Sequence, residues 1–472
     1  MTALDRLFRL TENRTKVRTE FVAGVTTFLT MAYIIVVQPA VLSGKMFGKE
    51  TGMDFGAVTT ATCLSAALAT AIMALYARYP IAQAPGMGEN FFFVFSAIPA
   101  AAGAGFANSW EVALGSVFIS GALFLVLSVI GLRELIFNSI SPSLKNGIAT
   151  GIGLFIAFIG LQNTGLILKD PGTAVKLNAH FASPDLIVFF VGLLVTAVLH
   201  ARKVRGSILW GMVAATALTA GLKLVMPLMP PAIGAAPVVR DSMLLTRFQF
   251  AHAVVAAPPS LTPTLFKLDL VHALSPAMLP FVFVFLFMLV FDTIGTLVGV
   301  CEQAGFMKEN RLPRARQAMV SDAMGTLAGS ALGTSTVTSF IESTAGVEQG
   351  GRTGLTGLVV AALFLLSLFF TPLIAMVASY PPITAPALVI VGALMAQNVG
   401  KIDWADFTES VPAFLTTIGI PLSYSIADGL ALGFICYPLI KLFSGKAKDV
   451  GWLTYALALV LLVYFVFLRS RL

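Results

Sequence analysis

This 472-residue chain has few charged residues. Only 11% of its residues are Asp, Glu, Lys or Arg, against roughly 25% in soluble domains. Hydrophobic residues make up 57% of the chain, and the mean hydropathy is +0.89. This composition excludes an ordinary soluble protein and indicates an integral membrane protein. Long apolar runs without polar alternation predict helices rather than a barrel.

Residues that bind metals or carry covalent chemistry are also scarce. The three cysteines lie far apart in apolar segments, which favours small buried hydrophobes over a metal site. The four histidines lie in predicted loops or at span ends, so a histidine relay within the membrane is disfavoured. No Walker loop is found, so we expect neither nucleotide-driven transport nor a cofactor. The net charge of +7 comes largely from clusters beside the spans, and a nucleic-acid partner is not needed to explain it.

The apolar runs predict an all-α polytopic membrane protein with about fourteen spans, grouped seven and seven. The first half, 20–229, holds spans at 20–42, 56–78, 82–100, 110–132, 146–168, 184–200 and 206–229. The second half, 276–472, holds spans at 276–300, 316–333, 335–349, 354–377, 382–399, 409–441 and 450–469. The stretch 409–441 fits either one broken span or two short ones. A polar, proline-rich loop at 230–275 separates the halves.

Basic residues predict the orientation, because Lys and Arg are enriched in cytoplasmic loops. They cluster before the first span, between spans six and seven, and after span eight, at Arg14, Lys16, Arg18, Arg202, Lys203, Arg205, Lys308, Arg311, Arg314 and Arg316. All three clusters fall on one side, so residues 1–19 are predicted to be cytoplasmic and 230–275 extracytoplasmic. The second half is then inverted relative to the first. At the C-terminus, the basic residues Arg469 and Arg471 compete with earlier lysines, and its side stays open.

Two short polar breaks interrupt the apolar stretches, one in each half. They are Ala84-Pro85-Gly86-Met87-Gly88-Glu89-Asn90 and Gly333-Thr334-Ser335-Thr336-Val337-Thr338-Ser339, the second followed by Glu342. Irregular backbone and carboxylates are costly at bilayer depth unless they are buried in protein or line a cavity. The pair therefore predicts two discontinuous helices that meet at a buried substrate site.

The first break offers polar and aromatic groups beside a helix start. Residues 85–88 stop a helix, and a new one is predicted to begin near 88–90. The N–H groups of its first turn lack partners and carry partial positive charge, which suits a ligand oxygen. Asn90 supplies a donor and an acceptor. Phe91 adds aromatic surface, with core packing as the alternative, and Glu89 can favour the positive helix end.

The second break predicts a polar stripe that ends in a carboxylate. Residues 334–336 are good N-cap residues, so we expect a helix to begin near Val337. On such a helix Ser335, Ser339 and Glu342 share one face.

Asp292 stands out because it follows eleven consecutive apolar residues. A carboxylate at a helix centre costs about 2.5–3.5 kcal/mol on insertion scales, so it needs a partner, a proton or a water-lined cavity. We favour a functional role over an aspartate satisfied by the amides of a broken helix. For Glu89, Asp322 and Asp428 we favour structural roles, with Asp322 expected at an interface near a span start.

Several of these motifs together resemble those of the bacterial and fungal adenine/guanine/hypoxanthine permeases of the azaguanine-resistance type. This family is a branch of the nucleobase–cation symporter, or nucleobase–ascorbate transporter, superfamily. The motifs are Thr30-Met31-Ala32-Tyr33-Ile34, the first break, Phe291-Asp292-Thr293-Ile294-Gly295-Thr296, Gly333-Thr334-Ser335 with Glu342-Ser343, Gly350-Gly351-Arg352-Thr353-Gly354, and Tyr424-Ser425-Ile426-Ala427-Asp428-Gly429. The residues around Asn90 depart from the family pattern, which often has an apolar residue before Asn and Ala after it.

The resemblance implies a uracil-permease-like fold of two inverted repeats of seven spans. Its core domain would comprise 20–132 and 276–377, and its gate domain 146–229 and 382–469. Spans three and ten would be half-helices preceded by short extended segments. By motif position, Gly88 and Asn90 match the third-span site, and Asp292 and Glu342 the carboxylates of spans eight and ten. The related fold also suggests a homodimer.

From the residues and the resemblance we predict a proton-coupled importer of purine bases in the inner or plasma membrane. The predicted substrate-binding residues are Gly88, Asn90, Phe91, Asp292, Thr336, Ser339 and Glu342, and the predicted proton-coupling residues are Glu342, Asp292 and Glu89. The expected partners are a purine base and membrane lipids. An anion exchanger of the same fold is the alternative, because half-helix ends also attract anions. A membrane-embedded hydrolase or receptor is a third reading, but it lacks a Ser/His or metal constellation.

Overall fold

The computed structural model of the chain describes residues 3–130, 141–228, 230, 236–306 and 312–463. The first half comprises α1 (Ala3–Phe8), α2 (Val17–Met31), α3 (Ile34–Leu42), α4 (Phe55–Ile72), β1 (Gln83–Pro85), α5 (Met87–Phe92), α6 (Ile98–Gly103), α7 (Ser109–Ile130), α8 (Pro142–Asn163), β2 (Ile167–Asp170), β3 (Ala174–Leu177), α9 (Pro184–Ala201) and α10 (Ser207–Val225). After it come α11 (Pro237–Arg240), α12 (Met243–Thr246), α13 (Leu270–Ala273), α14 (Leu279–Gln303), α15 (Ala315–Leu332), β4 (Val337–Ser339), α16 (Ser343–Glu348), α17 (Gly354–Ser367), α18 (Thr371–Ala378), α19 (Pro381–Ala396), α20 (Phe407–Ser423), α21 (Ile426–Phe443) and α22 (Trp452–Val463).

Ten helical stretches within these described ranges are long and apolar enough to cross a membrane. They are Val17–Leu42, Phe55–Ala77, Ser109–Ile130, Pro142–Asn163, Pro184–Ala201, Ser207–Leu228, Leu279–Cys301, Gly354–Ala378, Pro381–Lys401 and Ile426–Phe443. Four further elements take the places of spans: β1 with α5 and α6, α15, β4 with α16, and α20. With them the count reaches fourteen, seven in each half. The predicted all-α polytopic class is confirmed.

The C-terminal helices correct one predicted boundary. The stretch 409–441 forms two helices, α20 and α21, because Tyr424 adopts a left-handed conformation (φ 54°) that ends α20. The hydroxyl of Ser425 then accepts a hydrogen bond from the Asp428 N–H and caps α21. The fourteenth span is therefore α21. Helix α22, which lies within the predicted span 450–469, is an additional helix. Residues 131–132, 229 and 464–469 of the predicted spans, residues 231–235 of the predicted loop, and the basic residues Lys308, Arg311, Arg469 and Arg471 lie outside the described residues.

The helices pack into two groups. In the group that we call the core group, α15 packs against α4 and α7, α17 against α2 and α4, and α14 against α7. In the gate group, α8 packs against α19 and α20, α9 against α10 and α19, and α20 against α21. Division of the chain into the core and gate domains that the resemblance implies stays a prediction, as does movement of one against the other.

The loop predicted at 230–275 is only partly exposed. The Asp185 carboxylate, at the start of α9, accepts hydrogen bonds from the N–H groups of Met243 (2.9 Å) and Leu244 (3.0 Å). The Lys223 ammonium donates to the carbonyls of Leu244 (3.1 Å) and Phe248 (2.8 Å). The side chains of Leu244 and Phe248 are buried. This part of the loop is therefore fixed to the gate group, and its extracytoplasmic side stays a prediction.

Candidate functional site

Two short extended segments pair with each other in the core of the molecule and place both helix breaks side by side. Strands β1 and β4 pair antiparallel, with Gln83 opposite Ser339 and Pro85 opposite Val337. The pairing continues beyond the strands, since the Gly86 N–H donates to the Thr336 carbonyl (3.2 Å). This strand pairing satisfies backbone groups that an interrupted helix leaves without hydrogen bonds. It also confirms the extended segments that the resemblance implies in spans three and ten.

A short helix follows each strand. After β1, α5 begins at Met87 with Gly86 at its N-cap and continues through a π-helical turn, Phe93–Ala97, into α6. After β4, the chain turns and α16 begins at Ser343, with Glu342 at the N-cap position. The predicted helix start near Val337 is wrong, because Val337 lies in β4. Ser335, Ser339 and Glu342 therefore do not share a helical face.

A cavity of about 590 Å³ lies where these helix starts face the gate group. From the core group it is lined by the start of α5, by α14, and by residues 338–342. From the gate group it is lined by α8, α19 and α21, and α22 contributes Leu457. Its volume falls within the range of roughly 300–1,000 Å³ that is usual for small-molecule sites. The cavity is thus large enough for a small ligand and lies between two separately packed groups.

Asp292 and Glu342 both line this cavity, as predicted. Asp292, on α14, is exposed to the cavity, and its Oδ2 accepts a hydrogen bond from the Thr338 hydroxyl (2.8 Å). Glu342 is half-buried, and its Oε1 accepts a hydrogen bond from the Tyr33 hydroxyl (2.9 Å). Each carboxylate is held by one hydroxyl donor while it borders the cavity. Together they present hydrogen-bond acceptors to a ligand.

Glu89 adds a third carboxylate close to Asp292. It is 3% exposed and lines the cavity, and its Oε2 lies 2.4 Å from the point that a Cβ on Gly86 would occupy. Asp292 interacts electrostatically as a like charge with both Glu89 and Glu342. Three ionised carboxylates around one cavity would repel one another, and an added proton relieves that repulsion.

Gly88 and Ser339 also line the cavity, whereas Asn90, Phe91 and Thr336 do not. Asn90 is fully buried and faces α3, where its amide exchanges hydrogen bonds with the amide of Gln38 and accepts one from the Ser335 hydroxyl. The sequence indicated that Asn90 lies at the start of α5, but not which way the helix is rotated. Asn90 therefore ties the two breaks to span one rather than facing the cavity.

Phe91 and Thr336 are both buried, and their surroundings differ. Phe91 packs against Phe155, with ring centroids 6.4 Å apart, and against Phe95 at 6.1 Å, as its alternative core role required. Thr336 is fully buried, and its hydroxyl has no hydrogen-bond partner within the described part of the chain. Direct substrate contact by these two residues stays untested, but this arrangement does not bring them to the cavity.

Asp322 lies deeper than the sequence suggested. It is fully buried rather than interfacial, and its carboxylate accepts hydrogen bonds from Gln83 Nε2 (2.5 Å), Ser339 Oγ (2.7 Å) and Thr293 Oγ1. Its partners lie on β1, β4 and α14, so it joins the strands that precede Glu89 and Glu342 to the helix that carries Asp292. The prediction of an interfacial position rested on its nearness to the start of the span at 316–333, and it is wrong.

Among the cavity-lining side chains that the sequence did not predict, Tyr33 and Thr338 are the two that donate hydrogen bonds to its carboxylates. Tyr33 belongs to a quoted motif and Thr338 to the second break, but no local pattern links them to a carboxylate distant in sequence. Within the described ranges, no group of three or more His, Cys, Asp or Glu residues is arranged to hold a metal ion.

A many-span helical fold, with a cavity at two helix breaks, defines a membrane transport protein. A family model described as a permease family (Xan_ur_permease) matches residues 18–432. The chain belongs to this permease family, the nucleobase–ascorbate transporter family.

Similar proteins agree with that assignment. The chain is 44% identical to the guanine/hypoxanthine permease PbuG of Bacillus subtilis, over 99% of this chain and 100% of that protein. It is 37% identical to the adenine permease AdeP of Escherichia coli, over 99% of this chain and 97% of that protein. Among solved structures, the transmembrane domain of the cyanobacterial bicarbonate transporter BicA matches with a TM-score of 0.59 and 14% identity, over 88% and 97% of the two chains. At that identity BicA supports the fold alone. The protein is a multi-pass membrane transporter and not an enzyme.

Proposed function

We propose that this protein imports purine nucleobases by proton symport, with the cavity opening alternately to the two sides of the membrane. The observation that carries the proposal is the cavity between the core and gate groups, bordered by Asp292 of α14 and by Glu342 at the second helix break. Relatives named as guanine/hypoxanthine and adenine permeases support purines as the substrate class. The distribution of basic residues supports a cytoplasmic N-terminus, and dimerisation stays a prediction.

Recognition of the base uses hydrogen bonds around its edge and apolar contacts on its faces. Asp292 and Glu342 accept hydrogen bonds from purine ring or amino N–H groups. The N–H groups at the start of α5, near Gly88, donate to a carbonyl oxygen or ring nitrogen. Ile152 of α8 and Phe291 of α14 line the cavity and provide apolar surface for a planar ring.

Proton coupling follows from the three carboxylates. Glu342, Asp292 and Glu89 border one cavity and repel one another when ionised. We assign the coupling proton to Glu342, because its carboxylate stands at the helix break that faces the gate group. Protonation removes one buried charge, so the loaded core group can pass the apolar side chains of the gate group at lower cost. Release of the proton on the inner side restores the charge and frees the base.

Anion exchange is the competing function. The bicarbonate transporter BicA shares the fold, and Lys145 and Lys401 line the same cavity. Three carboxylates at the cavity, Glu89, Asp292 and Glu342, oppose an anionic substrate, because like charges at such depth repel strongly. The charge of the site therefore favours a neutral heterocycle.

Uptake of labelled hypoxanthine into proteoliposomes tests the proposal. We expect an inward proton gradient to drive accumulation, and unlabelled guanine, adenine or xanthine to compete, while uracil and sulfate do not. Accumulation that is insensitive to a protonophore would contradict proton symport. Uptake of labelled sulfate without any purine uptake would overturn the proposed substrate class and favour anion exchange.

A further inference from the structure

Tyr33 occupies a break in span one. Helix α2 ends at Met31 and α3 begins at Ile34, and the N–H groups of Ile35 and Val36 bond to carbonyls three residues back, at Ala32 (3.2 Å) and Tyr33 (3.1 Å). Such a tight turn redirects side chains relative to a continuous helix. The side chain of Tyr33 lines the cavity and is 2% exposed. Span one therefore contributes a buried phenol to a site otherwise built from spans three, eight and ten and the gate group.

The phenol hydrogen of Tyr33 is committed to one carboxylate oxygen. A tyrosine hydroxyl carries a single donor hydrogen, and it lies 2.9 Å from Glu342 Oε1. No second side chain is seen to bond the Glu342 carboxylate within the described residues. One oxygen of Glu342 is thereby fixed by Tyr33, and Oε2 stays available to a ligand. The Tyr33 oxygen itself keeps lone pairs and can only accept.

We propose that Tyr33 is a positioning residue that determines substrate specificity through Glu342. It orients the Glu342 carboxylate so that the site presents acceptors side by side, and it thereby selects purines that carry an N–H donor on the ring edge. This inference rests on the proposed purine transport. A purine whose ring N–H is methylated loses the donor and leaves the oriented acceptor unpaired, which is the costly case for a buried polar group.

Other charged groups face the same carboxylate and must be kept constant in a test. Asp292 on α14 acts on Glu342 as a like charge. Glu89 on α5 and the two lysines of the gate group, Lys145 and Lys401, line the same cavity. Exchange of Tyr33 for phenylalanine leaves all of these in place and removes only the hydroxyl. Any effect of the exchange can then be attributed to loss of the hydrogen bond to Glu342.

The test compares Tyr33→Phe with a matched control, Tyr380→Phe. Tyr380 is also a fully buried tyrosine that donates to a carboxylate, Asp185 (2.6 Å), but it does not line the cavity. For Tyr33→Phe we expect the KM for hypoxanthine uptake to rise about tenfold or more, with a much smaller change in maximal rate. The preference for hypoxanthine over 1-methylhypoxanthine should fall by a similar factor. The control should keep the wild-type KM and preference.

Hypoxanthine binding to purified protein supplies a second measurement that does not need transport. The effect of Tyr33→Phe should vanish in a Glu342→Ala background, because the carboxylate that Tyr33 orients is then absent. An unchanged KM and preference, or an equal loss of binding in both backgrounds, would overturn the inference. Wild-type protein that takes up no purine at all would instead reject the proposed function.

Discussion

Replacement of Asp292 by asparagine removes the negative charge that faces the cavity while keeping the size of the side chain. The Thr338 hydroxyl, 2.8 Å away, can still donate to the new amide oxygen. A hydrogen bond to a charged acceptor contributes about 1.5–3 kcal/mol, which corresponds to roughly 10- to 150-fold in affinity. We therefore expect Asp292→Asn to lower kcat/KM for hypoxanthine uptake by about that factor. Labelled uptake at several purine concentrations measures it.

The melting temperature distinguishes loss of substrate binding from loss of folding. Asparagine takes a charge out of the membrane-embedded region, so the melting temperature of Asp292→Asn should equal or exceed that of the wild type. Asp241→Asn is the control, because Asp241 pairs with Arg240 on the exposed surface (2.9 Å) and its loss should leave uptake unchanged. Normal hypoxanthine uptake by a well-expressed Asp292→Asn variant would refute the assignment of Asp292 to the substrate.

Two further substitutions test how the helix breaks are built. In Gly86→Ala the new Cβ would lie 2.4 Å from Glu89 Oε2, so the carboxylate must move; we expect lower purine uptake with normal membrane insertion, and unchanged uptake would contradict the placement of Glu89. In Asn90→Ala the buried Gln38 keeps its hydrogen bond to the Thr334 hydroxyl (2.8 Å), but its amide oxygen loses the donor that Asn90 supplies, which costs about 1–3 kcal/mol; thermal unfolding should show a lower melting temperature. A stability equal to that of the wild type would mean that Asn90 does not hold span one.

The helix breaks and the intramembrane carboxylates could be predicted because both violate strong local rules. Glycine and proline in an apolar run and a lone aspartate after eleven apolar residues are costly in a bilayer unless they serve a site. Asp292 and Glu342 do border one cavity, as expected. A local sequence pattern was enough to predict these features, because each is costly in a bilayer whatever residues pack beside it.

The second break shows where local pattern fails. Thr and Ser at 334–336 are good helix caps, yet the following residues form β4, because they bond to β1 some 250 residues earlier. Strand pairing of this kind depends on distant partners. Asn90 fails for a related reason, since its partners Gln38 and Ser335 come from two other spans.

Burial depth and turn geometry account for the other differences. Asp322 lies near the start of its predicted span, which suggested an interface, but the packing of α15 against β1 and β4 buries it completely. The left-handed Tyr424 that divides 409–441 is equally invisible to hydropathy, because the apolar run continues across it.

Protection of a thiol in the cavity tests the central claim most directly. Ile341 lines the cavity and is 50% exposed, so Ile341→Cys, in a background in which Cys63, Cys301 and Cys436 are replaced by alanine, places one reactive thiol beside Glu342. The account predicts that hypoxanthine slows maleimide labelling of this cysteine with a half-effective concentration close to the KM for uptake, and that sulfate does not. Labelling that is unaffected by saturating hypoxanthine, in a variant that still transports it, would contradict a purine site between the two helix breaks.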